Sequence, residues 1–94
     1  MKLKMAEEKL YYIQSGYVGN AMLWWKPDAK GYTTDIAEAG RYPAERMLNI
    51  INNRPEEDVA WECEYIDNTS EIRRVVIETR GIDYDKRIQG KRQP

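Results

Sequence analysis

Residues 19–35 read GNAMLWWKPDAKGYTTD, and this stretch decides the fold. Two β-prone runs flank a polar turn that carries Pro27 and Gly31, which predicts a β-hairpin. Trp24 and Trp25 are adjacent, and successive side chains of a strand point to opposite faces of a sheet. Each face therefore receives a large aromatic ring. A domain of this size covers one face well and the other poorly, so we predict that the second face binds a partner.

The parity of this strand also assigns the two tryptophans to faces. Leu23 and Trp25 lie on the same face, because they are two residues apart in a strand. We therefore predict that Trp25 points inward under a helix. Trp24 then points outward, and we predict it as a partner-binding residue, since exposed aromatic anchors dominate the energetics of interfaces.

The remaining pattern predicts an α+β domain, with an antiparallel sheet of four or five strands and one helix packed on one face. Residues 10–14, 20–26, 31–36 and 72–78 are rich in β-branched and aromatic residues, as strands are. Residues 59–65 alternate like a half-buried strand, although so short a run also fits an irregular segment. Pro43 is predicted in the first turn of a helix, which ends before Pro55. Its predicted apolar stripe consists of Ala44, Met47, Leu48 and Ile51.

Length and composition predict one domain. The chain has 94 residues, of which 41% are hydrophobic and 33% are charged, as in soluble globular proteins. We predict a flexible N-terminus over residues 1–9, the domain over residues 10–82, and a basic, frayed tail over residues 83–94. No apolar run reaches the roughly 20 residues that span a bilayer. The first nine residues are too charged for a signal peptide, so we expect a cytoplasmic protein without a membrane role.

The residue types argue against an enzyme. Histidine is absent and Cys63 is the single cysteine, so no Cys–His pair and no zinc-ligand set can form. We therefore predict no catalytic residues, no metal and no cofactor. Cys63 alternates with Trp61 and Tyr65, which favours a small core residue over a reactive thiol.

Acidic residues are concentrated in residues 56–71, where there are seven carboxylates and no basic residue. A solvated acidic face is one interpretation. The other is a patch that docks on a basic surface, for example that of a nucleic-acid-binding protein. The pI near 5.5 argues against direct binding of nucleic acid by this chain. The predicted partner-binding carboxylates are Glu56, Glu57, Asp58, Glu62, Glu64 and Asp67.

The order of aromatic and glycine motifs over residues 10–67 resembles a group of small uncharacterised proteins of bacteriophages and prophages. The motifs that carry the resemblance are Tyr11-Tyr12-Ile13-Gln14, Tyr17-Val18-Gly19-Asn20, Trp24-Trp25, Gly31-Tyr32-Thr33-Thr34-Asp35, Ala39-Gly40, Trp61 and Glu64-Tyr65-Ile66-Asp67. The resemblance implies a viral accessory role in an infected bacterial host. Small acidic accessory proteins of phages are often antagonists of host defence, anti-CRISPR proteins among them.

These observations lead to one main expectation and two alternatives. The main expectation is an inhibitor that binds a host defence protein stoichiometrically. The first alternative is a nucleotide-binding module that sequesters a defence second messenger, with aromatics on the base and Arg73, Arg74 or the tail on the phosphates. Its stacking platform would consist of Tyr11, Tyr12, Trp24 and Tyr32. The second alternative is a homodimer in which an identical subunit covers the second sheet face.

Overall fold

The computed structural model describes residues 9–69 and 76–91. In these residues the chain forms six strands and two α-helices. The strands are Leu10–Val18 (β1), Ala21–Trp25 (β2), Tyr32–Thr33 (β3), Tyr42–Pro43 (β4), Asp58–Glu62 (β5) and Ile88–Gln89 (β6). The helices are Ala44–Asn53 (α1) and Cys63–Asp67 (α2). This is the predicted α+β class, with an antiparallel sheet and one main helix packed on it.

The strands form one antiparallel sheet in the order β3-β2-β1-β5-β6, and β4 pairs with the start of β1. The predicted hairpin is confirmed, since Trp24 pairs with Thr33 and Trp25 pairs with Tyr32. β1 runs on to Val18, although we predicted its end at Gln14. The reason is Gly16, whose positive φ of 73° lets the chain bulge and continue.

Helix α1 lies where the sequence predicts it, and Pro55 follows its end. Met47 and Ile51 are buried on its inner face. The prediction for Leu48 is wrong, because that side chain is 43% exposed. Ile50 packs beside Met47 and Ile51 instead. The buried face of α1 is therefore shifted from Leu48 toward Ile50.

The strand predicted over residues 59–65 ends early. β5 stops at Glu62, and Cys63 begins the short helix α2. Cys63 is buried, as predicted for a core residue. Of the strand predicted over residues 72–78, residues 72–75 lie outside the described part of the chain. Its end runs beside β2, where the Met22 N–H donates to the Ile77 carbonyl at 2.9 Å.

Residues 76–91, here called the C-terminal strap, cross the sheet from one edge to the other. The strap pairs with β2 through a bridge between Ala21 and Glu78, and it ends as β6 beside β5. We predicted a frayed tail from residue 83 onward, and the strap differs from that prediction up to residue 91. Its side chains Ile77 and Ile82 pack over the second face of the sheet. The sheet consequently has a hydrophobic core on both faces.

The two tryptophans belong to these two cores. Trp25 lies on the α1 side with Ile13, Met47 and Ile51, as its predicted face requires. Trp24 lies on the opposite face, but our prediction that it is exposed is wrong. Its relative exposure is 0%, because α2 and the strap cover it. Trp25 is the half-buried ring of the pair.

Candidate functional site

The half-buried Trp25 lies at the centre of an aromatic and charged cluster. Tyr32 is its partner across the β2–β3 hairpin, and the two ring centroids are 4.7 Å apart. Arg54 caps the end of α1, and the turn after it is closed by hydrogen bonds from the N–H groups of Glu57 and Asp58 to the Arg54 carbonyl. These elements meet beside the sheet edge. We call Trp25, Tyr32, Arg54, Glu57 and Asp58 the Trp25 cluster.

Arg54 is the cation of this cluster. Its guanidinium lies 6.0 Å from the Trp25 ring centroid and donates a hydrogen bond of 3.3 Å to the Tyr32 hydroxyl. It also pairs with the carboxylates of Glu57 and Asp58. The Asp58 carboxylate raises the pKa of Arg54 above its usual value. The Arg54 side chain is nevertheless 41% exposed, so it covers the cluster from the solvent side.

Asp58 lies beneath Arg54 and is completely buried. Its Oδ2 accepts a hydrogen bond of 3.2 Å from the Trp25 indole N–H and lies 3.6 Å from the Arg54 Nε. Its Oδ1 is buried and finds no hydrogen-bond partner in the described part of the chain. A buried carboxylate is costly unless its oxygens are paired. Asp58 is therefore an incompletely satisfied acceptor at the base of the cluster.

The structure divides the predicted acidic residues into two groups at opposite ends of β5. Glu56 and Glu57 are exposed in the turn before β5, whereas Glu62, Glu64 and Asp67 lie at the other end of the strand or in α2. Because β5 has five residues, the groups are separated by roughly 13 Å of extended chain. The predicted acidic patch is therefore divided into two groups along β5. Asp58, which we predicted as a partner-binding carboxylate, belongs to neither exposed group because it is buried.

The second acidic group is largely paired with cations. Glu62 forms an ion pair of 3.1 Å with Lys9, and Asp67 forms one of 3.0 Å with Arg41. Asp67 also accepts a hydrogen bond of 2.7 Å from the buried Tyr12 hydroxyl. Burial and this hydrogen bond raise the pKa of Tyr12. The two contacts of Asp67 tie α2 to β1 and to the segment before β4, which gives Asp67 a structural role.

The predicted base-stacking platform is not assembled. Tyr12 and Trp24 are buried in the core under the strap, while Tyr32 lies on the opposite face with Trp25. Arg73 and Arg74, the predicted phosphate ligands, lie outside the described residues. The exposed aromatic side chains are Tyr32 itself, Tyr17 on the β1–β2 hairpin and Tyr84 on the strap.

Cys63 is a free cysteine, and its side chain is buried. Burial raises the pKa of the Cys63 thiol to about 12, so the thiol is protonated at neutral pH. Within residues 9–69 and 76–91 no three metal-ligating side chains come together. None of the helices in the same residues has the length and apolarity that a bilayer crossing needs.

The sequence analysis did not identify Arg54, and it placed Tyr32 in the base-stacking platform and not beside Trp25. The hairpin pairing was available, and it places Tyr32 against Trp25. Arg54 carried a weaker signal, namely its position just before Pro55 at the end of a predicted helix. Nothing in the sequence indicated that this helix end packs beside the hairpin.

No protein-family model, curated protein or solved structure matches this chain.

Proposed function

We propose that this protein is a non-catalytic, phage-encoded inhibitor that binds a host defence protein stoichiometrically in the bacterial cytoplasm. The Trp25 cluster is the proposed contact surface, and its partner is a protein with a basic surface. A nucleic-acid-binding component of a CRISPR–Cas or other defence complex has such a surface. Carboxylates that occupy it would take the place of nucleic-acid phosphates.

One observation carries this proposal: the half-buried Trp25 ring and the exposed Glu57 carboxylate both contact Arg54, so they lie on the same part of the surface. Sequence reasoning predicted both features for an interface but attached the aromatic role to Trp24. Trp25 replaces Trp24 because it is the half-buried ring. An aromatic ring with 40%-exposed Tyr32 beside it and a charged rim has the composition of a protein-binding hot spot.

The two alternatives receive less support. The homodimer was inferred from an uncovered sheet face, but the strap covers that face with Ile77 and Ile82. The nucleotide module was inferred from a stacking platform whose members lie in the core or on different faces. Neither alternative is favoured by a contact in the described residues.

The proposal is tested by capture of a partner from host lysate at low salt, followed by phage plating on defended hosts. We expect the wild-type protein to retain one protein partner in a fixed ratio and to restore plaque formation. Raised salt should release the partner, because exposed charge pairs are screened. Glu56→Lys with Glu57→Lys should abolish both capture and plaque formation.

The matched control is Glu45→Lys with Asp85→Lys, which makes the same change of net charge at exposed residues outside the cluster. This control should bind like the wild type. Equal loss in both double variants would show that only net charge matters. Failure to recover any partner at low salt would contradict the proposed function.

A further inference from the structure

Asp58 can accept more hydrogen bonds than the described residues donate to it, so a ligand could donate the remaining ones. The carboxylate is completely buried, yet Oδ1 has no hydrogen-bond partner among the described residues. Its other oxygen receives the Trp25 indole N–H, and the Arg54 Nε approaches it to only 3.6 Å. A planar donor with two parallel N–H groups would satisfy both oxygens at once.

The surroundings of Asp58 already accommodate a guanidinium. The Arg54 guanidinium lies 6.0 Å from the Trp25 ring centroid, within cation–π reach, and donates to the Tyr32 hydroxyl, which are contacts that arginine makes better than lysine. Arg54 is, however, loosely placed for Asp58. It stands at the end of α1 with non-helical backbone angles, φ −138° and ψ 60°, and its side chain is 41% exposed. A guanidinium that approaches from solvent therefore meets Arg54 before it meets Asp58.

We propose that the Trp25 cluster is an arginine-binding site, and that Arg54 occupies it in the free protein until an arginine side chain of the partner takes its place. The incoming guanidinium binds both oxygens of Asp58 and stacks on Trp25, while Arg54 turns toward solvent and keeps its ion pair with Glu57. This inference rests on the proposed function for the identity of the partner. The site itself rests on contacts within this chain.

The experiment is chemical rescue of a variant from which the internal arginine has been removed. Arg54→Ala should lower the melting temperature, because the substitution removes the cation that pairs with the buried Asp58 carboxylate. Methylguanidinium should then raise the melting temperature in a saturable way, by roughly 5–10 °C at about ten times its dissociation constant. Ethylammonium, a compact cation that cannot bind a carboxylate in bidentate fashion, should give a clearly smaller rise.

The matched control is Arg54→Ala combined with Asp58→Asn, in which the acceptor has lost its charge. Methylguanidinium should give this double variant no saturable rise in melting temperature. Any fall in its melting temperature measures the general denaturing effect of methylguanidinium, which is subtracted from the result for Arg54→Ala. Equal rescue of both variants, or equal rescue by both cations, would overturn the arginine site. If Arg54→Ala does not fold, Arg54→Gln keeps the apolar stem and is judged by the same criteria. The indole N–H signal of Trp25 in NMR spectra should shift on addition of methylguanidinium, while those of Trp24 and Trp61 should not.

Rescue needs no partner, so the two proposals fail separately. Selective rescue without capture of a host protein would support the arginine site and contradict the proposed inhibitor. Capture without selective rescue would support the inhibitor and overturn the arginine site.

Discussion

Trp24 and Trp25 are neighbours in the chain, but they stabilise the protein in different ways. Trp24 is completely buried, and its ring contacts Tyr12 at a centroid distance of 5.4 Å. Trp25 is half-buried and uses its indole N–H to bind Asp58. The Trp24 ring therefore fills a core, whereas Trp25 lies near the surface and donates a hydrogen bond to the buried Asp58 carboxylate.

This difference predicts unequal costs of truncation. Trp24→Ala should lower the free energy of unfolding by about 3–5 kcal/mol, as removal of core aromatics does. Trp25→Phe keeps most of the ring and removes the donor to Asp58, so it should cost about 1–3 kcal/mol. Denaturant unfolding followed by circular dichroism measures both values. Equal costs for the two variants would mean that the assignment of the rings is wrong.

Cys63 permits a second test at the level of a single residue. Its thiol is buried in the core under the strap, and burial raises its pKa to about 12. At pH 8 the native protein therefore holds the unreactive, protonated thiol. We expect slow labelling by a disulfide reagent in buffer and rapid labelling in denaturant. Rapid labelling of the native protein would contradict this placement of Cys63.

Among the elements, helix α1 is held by a few side chains. Met47 and Ile51 are buried against the sheet, while Leu48 points away from the core with 43% of its surface exposed. Met47→Asp should lower the free energy of unfolding by more than about 3 kcal/mol, because it buries an unpaired charge. Leu48→Asp should change it by about 0.5 kcal/mol or less, as surface substitutions do. Thermal or denaturant melts of the pair provide the measurement, with each variant as the control for the other.

The elements that sequence could predict are those specified by local signals. The β2–β3 hairpin follows from a turn between two β-prone runs, and α1 follows from apolar spacing between Pro43 and Pro55. Helix α2 was missed because the alternating pattern of β5 continues through Cys63 and Tyr65, so periodicity could not locate the end of the strand. The Trp25 cluster was predictable in part: the hairpin fixes Trp25 and Tyr32, but the packing of Arg54 on them is a tertiary contact.

At the scale of the whole molecule, the strap determines which faces of the sheet are buried. Helix α1 covers one face, and the strap covers the other. Its apolar residues Ile77, Ile82 and Ile88 are widely spaced and match no helical or strand period. Their burial depends on contacts with distant residues, such as the bond from the Asp83 N–H to the Tyr65 hydroxyl at 2.9 Å. The predicted binding face at Trp24 disappeared for this reason, and the partly exposed surface at Trp25 became the candidate site.

The end of the strap is fastened to helix α1 at a point where only glycine fits. A Cβ atom on Gly90 would lie 2.6 Å from the carbonyl carbon of Ile51 and closer still to its oxygen. The next residue, Lys91, donates its N–H to the Asn52 side chain at 2.8 Å. Gly90→Ala should therefore push the strap away from α1 and break the pairing of β6 with β5.

We expect Gly90→Ala to lower the free energy of unfolding by about 1–3 kcal/mol, as overpacking of a close contact does. Hydrogen exchange should accelerate at Ile88 and Gln89 and remain slow in β1, since the strap opens without the centre of the sheet. Gly81→Ala is the matched control, because a Cβ at Gly81 meets no atom within 4 Å and its φ is not positive. That variant should match the wild type in stability and in exchange at β6. Unchanged exchange at β6 in Gly90→Ala would show that β6 does not depend on this contact, and the strap would then be held mainly by Ile77 and Ile82 at its other end.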